Sequence, residues 1–347
     1  MRVLVVRNDK IGDFMLAWPA FAMLKQSCDC EITALVPKYT APLAELCPWI
    51  DKVLIDPGKN GSKQDQAKLL TQIRRQFDAV VTLFSTTRIG WLVWRAGIPY
   101  RLAPATKLAQ IFYNHRLTQR RSRSEKPEYE YNLDLIRRFL HDQQLSVVDP
   151  APPYLSFPHE QLSAIRLQIA NELNISSSVG WLMVHCGSGG SANNLSLEQY
   201  AELVMLLQKA KPNCCVVLTA GPGEETKTAE LAELLRQKGV QAVVYVSTEG
   251  LVRFAQVLAN AELFVAGSTG PLHISSALDV PTVGFFPQRR SATPLRWRPL
   301  NSDGRHLAFS PPEGEFSEQN MSLISMPECA QAIAKWWGGW VSEDKPD

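Results

Sequence analysis

Residues 261–287 read AELFVAGSTGPLHISSALDVPTVGFFP. A mostly apolar run, 261–266, stops at Gly267; two hydroxyls, a second glycine and a proline follow. Helical spacing then covers Leu272 to Leu278, and a second apolar run, TVGFF, occupies 282–286. Two short apolar runs without polar alternation, joined through a helix, are the pattern of parallel strands buried on both faces. Pro271 sits where the first turn of a helix accepts proline. Ser268, Thr269 and Gly270 therefore surround the free N–H groups of a helix start, which bind anions. His273, one turn in, either donates to a phosphate or is a satisfied half-buried histidine.

The same unit recurs on both sides. Upstream, strands WLMVHCG (181–187), CCVVLTAG (214–221) and AVVYV (242–246) alternate with helical runs over 196–211, 225–238 and 251–259. The N-terminal half gives strands VLVV, EITALVP (31–37), KVLIDP (52–57) and DAVVTLF (78–84), with helices expected from Phe14 to Lys25 and from Gln64 to Gln76. DPAPPYLSFP (149–158) has four prolines in ten residues and reads as a linker. Alternating strands and helices predict two successive α/β units with parallel sheets and a cleft between them. The expected domains are 1–155 and 156–325, with 326–347 a last helix packing across the junction. Trp336, Trp337 and Trp340 in that last segment have a second reading, contact with a membrane surface.

A chain of 347 residues suits two ordinary domains. Lys and Arg number 36 against 34 Asp and Glu, so any charged partner has to be argued from local clusters. The seven cysteines form no metal-ligand spacing, and an odd count with Cys214–Cys215 inside a buried strand points to reduced thiols in a cytosolic protein. No run of 18 apolar residues predicts a membrane span, and the N-terminus does not read as a signal peptide.

Three further loops follow strands at the same edge, where open α/β sheets bind ligands. In RNDKIGDF (7–14), Asp13 falls at a helix start, either as a plain N-cap or as an ionised base. HCGSGGSANNLSLEQ (185–199) has the spacing G-x-G-x-x-A, yet Ser196-x-x-Gln199 is a capping box that delays the helix, and no acid ends the next strand. Its glycines, Ser188 and Ser191 suit a phosphate nest or an ordinary flexible loop. AGPGEET (220–226) offers Glu224 and Glu225 to a ribose, or to the helix dipole.

In order and spacing, VLVVRNDKIGDFMLAWPAFAML, VHCGSGGSANNLSLEQYAEL, LTAGPGEE and AELFVAGSTGPLHISSALDVPTVGFFP resemble the heptosyltransferase family, over residues 2 to about 300. The resemblance implies the GT-B fold: two Rossmann-like doubly wound domains facing a central cleft. It implies an inverting, metal-independent glycosyltransferase that moves heptose from ADP-heptose to the inner core of lipopolysaccharide. Asp13 matches the family's general base. Ser188 and Ser191 match the loop facing the diphosphate, Glu224 a glutamate near the ribose, and the stretch around Glu249 the adenine pocket. Thr269, Gly270 and His273 match the turn that holds the phosphates and donor sugar. No separate cofactor and no metal are implied, and the chain has no D-x-D pair.

Two departures accompany the resemblance. Asn193 and Asn194 stand where the family carries a lysine, and Ser268 where it carries an aspartate. A lost cation at a diphosphate removes leaving-group stabilisation; Arg289, Arg290, Arg296 and Arg298 are the nearby replacements in sequence. The basic stretch HRLTQRRSRSEK (115–126) either faces an anionic glycolipid acceptor or anionic lipid, or is a solvated loop. No nucleic-acid module accompanies it. The expected location is cytoplasmic, peripheral at the inner membrane. The alternatives are a related enzyme with another nucleotide sugar, a non-catalytic sugar-nucleotide or glycan-binding protein, and an NAD-linked dehydrogenase.

Overall fold

The computed structural model of the chain describes residues 1–106, 108–187, 193–314 and 316–343. It divides into two compact units, Met1–Tyr154 and Leu155–Asp347, with the boundary inside the proline-rich run. The first unit runs β1 (Arg2–Val6), α1 (Ile11–Met15), α2 (Trp18–Ser27), β2 (Glu31–Pro37), α3 (Ala41–Leu46), β3 (Lys52–Asp56), α4 (Lys63–Ile73), β4 (Ala79–Thr82), α5 (Thr87–Arg95), β5 (Tyr100–Pro104), β6 (His115–Leu117) and α6 (Glu128–Asp142). The second runs α7 (His159–Leu173), β7 (Gly180–His185), α8 (Leu197–Ala210), β8 (Cys214–Ala220), α9 (Glu225–Gln237), β9 (Ala242–Val246), α10 (Gly250–Leu258), β10 (Leu263–Gly267), α11 (Gly270–Ala277), β11 (Thr282–Phe285), β12 (His306–Phe309) and α12 (Met326–Glu343).

Among the described residues each unit has one six-stranded parallel sheet, in the orders β3-β2-β1-β4-β5-β6 and β12-β11-β10-β7-β8-β9. The first strand of each unit is central and the order reverses beside it, so the switch points lie between β1 and β4 and between β7 and β10. Central strands are apolar throughout because both faces are covered. In the first unit Leu4, Val6 and Val80 meet α4 and α5 through Leu69, Ile73, Ile89 and Val93, while α2 packs with α6 and α6 covers β4 and β5. In the second, Leu182, Val184, Val216 and Leu218 meet α8. The α12 residues Cys329, Ile333 and Trp337 join this core. Truncating one such buried leucine to alanine costs about 2–5 kcal/mol.

Local chemistry sets the element ends. Ser196 and Gln199 form the expected capping box of α8, with reciprocal bonds of 3.2 and 3.1 Å. The single helix expected from Phe14 to Lys25 is instead two, broken at Leu16 and Ala17. The cause is Pro19, which lacks an N–H for the Met15 carbonyl and whose ring would collide with it. The basic stretch 115–126 contains β6 and a 3₁₀ turn over Arg121–Arg123. All seven cysteines are free thiols. No helix among the described residues is long and apolar enough to cross a membrane.

Candidate active site

In the first unit the carboxyl edge of the sheet is organised around Arg7, the residue after β1. Its guanidinium is fully buried and donates to Asp9 at 2.8 Å, Asp13 at 2.8 Å, Glu128 at 3.1 Å and the Asn132 carbonyl oxygen at 3.0 Å. Asn132 in turn donates to the Leu16 carbonyl at 3.0 Å, fixing the break between α1 and α2. Glu128, buried at the start of α6, also accepts from Arg121 at 2.7 Å. Neighbouring strand ends are tied in: Asn8 donates to Asp56 at 2.6 Å, Arg88 pairs with the same carboxylate, and the Tyr39 hydroxyl donates to the Asp9 carbonyl at 2.6 Å.

Asp13 is therefore not the N-cap considered from the sequence. Helix α1 begins at Ile11, its cap position is Lys10, and the Asp13 carboxylate turns to Arg7 instead. With 18 % of its side chain exposed, Asp13 keeps access to solvent. Burial raises its pKa, Arg7 opposes that shift, and Glu128 adds to it. The balance is a carboxylate more basic than a free one. Asp9 is pushed up to about 6, again chiefly by burial, against the pull of Arg7. Burial disfavours the Arg7 charge, but its three carboxylates outweigh that and raise its proton affinity above the ordinary arginine value.

A cavity of about 410 Å³ opens at the same edge, lined by 83–87 after β4, by Pro104, Thr106 and Ala109, and by Arg121. The exposed Phe84 ring lies 6.0 Å from the Arg7 guanidinium carbon, and Arg121 reaches the same Glu128. Arg121 thus links the cavity to the Asp13 cluster. The rest of the basic stretch is partly neutralised, with Lys126 on Asp134 and Arg123 at 3.6 Å from Glu125.

In the second unit the loops after β7, β8 and β10 share one edge. Thr269 caps α11 with its backbone, and its buried hydroxyl has no hydrogen-bond partner among the described residues. Nδ1 of the buried His273 is also unpartnered, and burial lowers its pKa to about 4, so the ring is neutral. A buried hydroxyl and ring nitrogen left unsatisfied beside a helix N-terminus are polar groups whose hydrogen bonds the described residues do not supply. Gly270 is the first residue of α11, while half-buried Ser268 is held by its N–H to the Phe285 carbonyl at 3.2 Å.

Glu224 caps α9, its carboxylate accepting from the Gly221 N–H at 3.0 Å and lying 3.3 Å from Nε2 of His185. A Cβ on Gly187 would meet that carboxylate, so a larger residue there would displace the Glu224 side chain. Asn193 is exposed and donates to the Gln319 carbonyl at 3.2 Å. Asn194 braces the switch point, donating to the Cys186 carbonyl at 3.0 Å and accepting from the Tyr200 hydroxyl at 2.7 Å. Glu249 caps α10, largely exposed, 3.6 Å from Arg253. Ser188 and Ser191 lie outside the described residues. Of the replacement arginines, Arg298 pairs with Asp303 at 3.1 Å and Arg296 lies over Trp297.

Sequence reading missed Arg7, Glu128, Asn132 and Arg121 as a group, because they meet only where α6, packed on α2, β4 and β5, brings its first turns to the residue that follows β1. It also missed His185, whose Nδ1 lies 3.0 Å from the Thr219 carbonyl and whose ring is 6.4 Å from Phe254.

The family model of glycosyltransferase family 9 (heptosyltransferase) matches residues 66–322. The chain belongs to that family. A Haemophilus influenzae protein, provisionally named a glycosyltransferase, is 53% identical over 335 residues, covering 96% of both chains. A solved family 9 glycosyl transferase from Veillonella parvula superposes with a TM-score of 0.80 at 16% identity, over 97% of each chain. The Escherichia coli ADP-heptose lipopolysaccharide heptosyltransferase II superposes with a TM-score of 0.77 at 18% identity, over 98% of this chain and 99% of the other. The fold is GT-B, and the family 9 chain is a glycosyltransferase of heptosyltransferase type. The non-catalytic and dehydrogenase alternatives fall away.

Proposed function

We propose that the enzyme transfers heptose from ADP-heptose to a sugar hydroxyl of the lipopolysaccharide inner core, with inversion, at the cytoplasmic face of the inner membrane. The observation that carries this is Asp13: a carboxylate fixed by Arg7 at the first switch point, made more basic by burial, and still open to solvent. Asp13 takes the proton of the acceptor hydroxyl as that oxygen attacks the anomeric carbon. The bond from that carbon to the diphosphate oxygen breaks, and the nucleoside diphosphate leaves as an anion. Its charge is met in the second unit by the Gly270 N–H at the start of α11, the Thr269 hydroxyl and, in its Nδ1–H tautomer, His273. Ser188, Ser191, Ser268, Glu224, Glu249 and Asn193 complete the proposed donor site. No metal takes part in this scheme. Arg121 in the cavity receives an anionic group of the glycolipid.

Asn193 favours a second reading, a different nucleotide sugar, because its side chain is engaged with Gln319 where the family resemblance places a cation. Thermal shift against ADP, UDP, GDP and CMP, with and without EDTA, separates the two. Selective ADP stabilisation that EDTA leaves unchanged, followed by transfer from ADP-heptose to heptose-deficient core, supports the first reading. Preference for another nucleotide supports the second, and no nucleotide binding overturns both.

A further inference from the structure

Between Asp78 and Glu125 the chain contains no acidic residue, yet it carries eight Lys or Arg. Helix α5 lies within this run, and its exposed positions are Thr87, Trp91, Trp94 and Arg95, a stripe at helical spacing. It packs on a 3₁₀ turn over Leu108–Phe112: Gly90 meets Phe112 and the Ala109 carbonyl, and the Trp94 and Phe112 rings are 6.2 Å apart. Leu108 and Ile111 in that turn are three residues apart, on one side of a 3₁₀ helix. Trp91 and Trp94 are 41% and 53% exposed, Leu108 and Ile111 74% and 69%. Four large apolar side chains left open on two touching helices are more than the scattered exposure of a soluble surface.

We infer that this face is a docking surface for a bilayer rich in anionic phospholipid. Tryptophans combine an apolar body with a polar N–H and settle at headgroup depth, while leucine and isoleucine enter the acyl boundary. Charge complementarity selects the lipid. Arg95 lies 5.0 Å from the Trp91 ring, Arg75 packs beside Gly97 just past α5, and Arg116 is exposed on β6. None of these three has an ion pair among the described residues, so their charge is available to phosphates. The same two helices border the 410 Å³ cavity, through Thr87 and Ala109. A surface lying on the membrane here brings the cavity to the headgroup layer, where a glycolipid carries its sugars. The inference deepens the glycolipid-acceptor reading by naming how the acceptor is met, but lipid binding is measured without donor or acceptor, so the two fail separately.

The test is co-flotation of the full chain with vesicles of phosphatidylcholine alone or mixed with phosphatidylglycerol. Binding is expected only to the mixed vesicles and falls with added salt. Trp94→Ser combined with Ile111→Ser should lower it about tenfold, and Arg95→Gln about fivefold, with unchanged thermal midpoints and unchanged nucleotide binding. Equal flotation with both vesicle types, no flotation, or flotation that the variants leave unaltered overturns the inference. So does a concentration-dependent dimer that the Trp94/Ile111 variant abolishes, since the face then belongs to a second copy.

Discussion

Asp13 and Arg7 act through each other. Arg7 holds the carboxylate in place and keeps it ionised, while burial and Glu128 keep its proton affinity above that of a free carboxylate. Asp13→Asn preserves the hydrogen-bonded shape and removes the base. Transfer should fall by about 10²–10⁴, with ADP binding unchanged by calorimetry. Glu128 works at one remove, because its charge raises the Asp13 pKa and shares Arg7. Glu128→Gln should therefore move the acid limb of the kcat profile to lower pH, whereas a purely structural role would reduce activity equally at every pH. His273 gives a stability prediction of known sign. Its folded pKa, about 4, lies below the unfolded value of 6.5, so the unfolded chain takes the proton first as pH falls. The stability is complete above about pH 6.5 and is lost on the way to about pH 4, roughly 3 kcal/mol for a fully buried ring. Urea midpoints measured across that window should drop, and His273→Gln should flatten the slope.

At the scale of elements, the β10–α11 junction separates ligand binding from folding. The Thr269 hydroxyl is buried and has no partner among the described residues, so it makes no hydrogen bond there that would stabilise the unliganded protein. Thr269→Val should leave the thermal midpoint of the free enzyme unchanged or slightly raised and weaken ADP about tenfold or more, read by titration. A midpoint that falls would show that the hydroxyl serves the fold instead. The capping box of α8 is the reverse case: Ser196→Ala should cost about 1 kcal/mol in denaturant unfolding. Its place was legible because a capping box is local chemistry, four residues long. The continuous helix expected from Phe14 to Lys25 failed at Pro19, where apolar content outweighed the missing N–H. Strand β5 (YRLAP) and strand β6 (HRL) were not legible, because polar side chains and short length hide a strand near a sheet edge.

For the whole molecule, each unit has its own sheet and its own buried core, and the proposed nucleotide contacts all fall in the second. A fragment spanning 155–347 should fold alone and retain ADP stabilisation in thermal shift, while showing no transfer activity. Loss of ADP binding in a folded fragment would place part of the nucleotide site on residues 1–154. The sequence by itself determined the alternation of strands and helices, the proline-rich boundary near 154 and the loops after β1, β7, β8 and β10. These depend on hydrophobic runs, caps and breakers, which act over a few residues. Only the tertiary structure decided that Arg7 meets Glu128 across 121 residues, that Asp13 turns from its helix to that guanidinium, and that Asn193 engages Gln319. Which charges share a site depends on strand order and helix packing, and residues brought together by those long-range contacts leave no periodic trace in the chain.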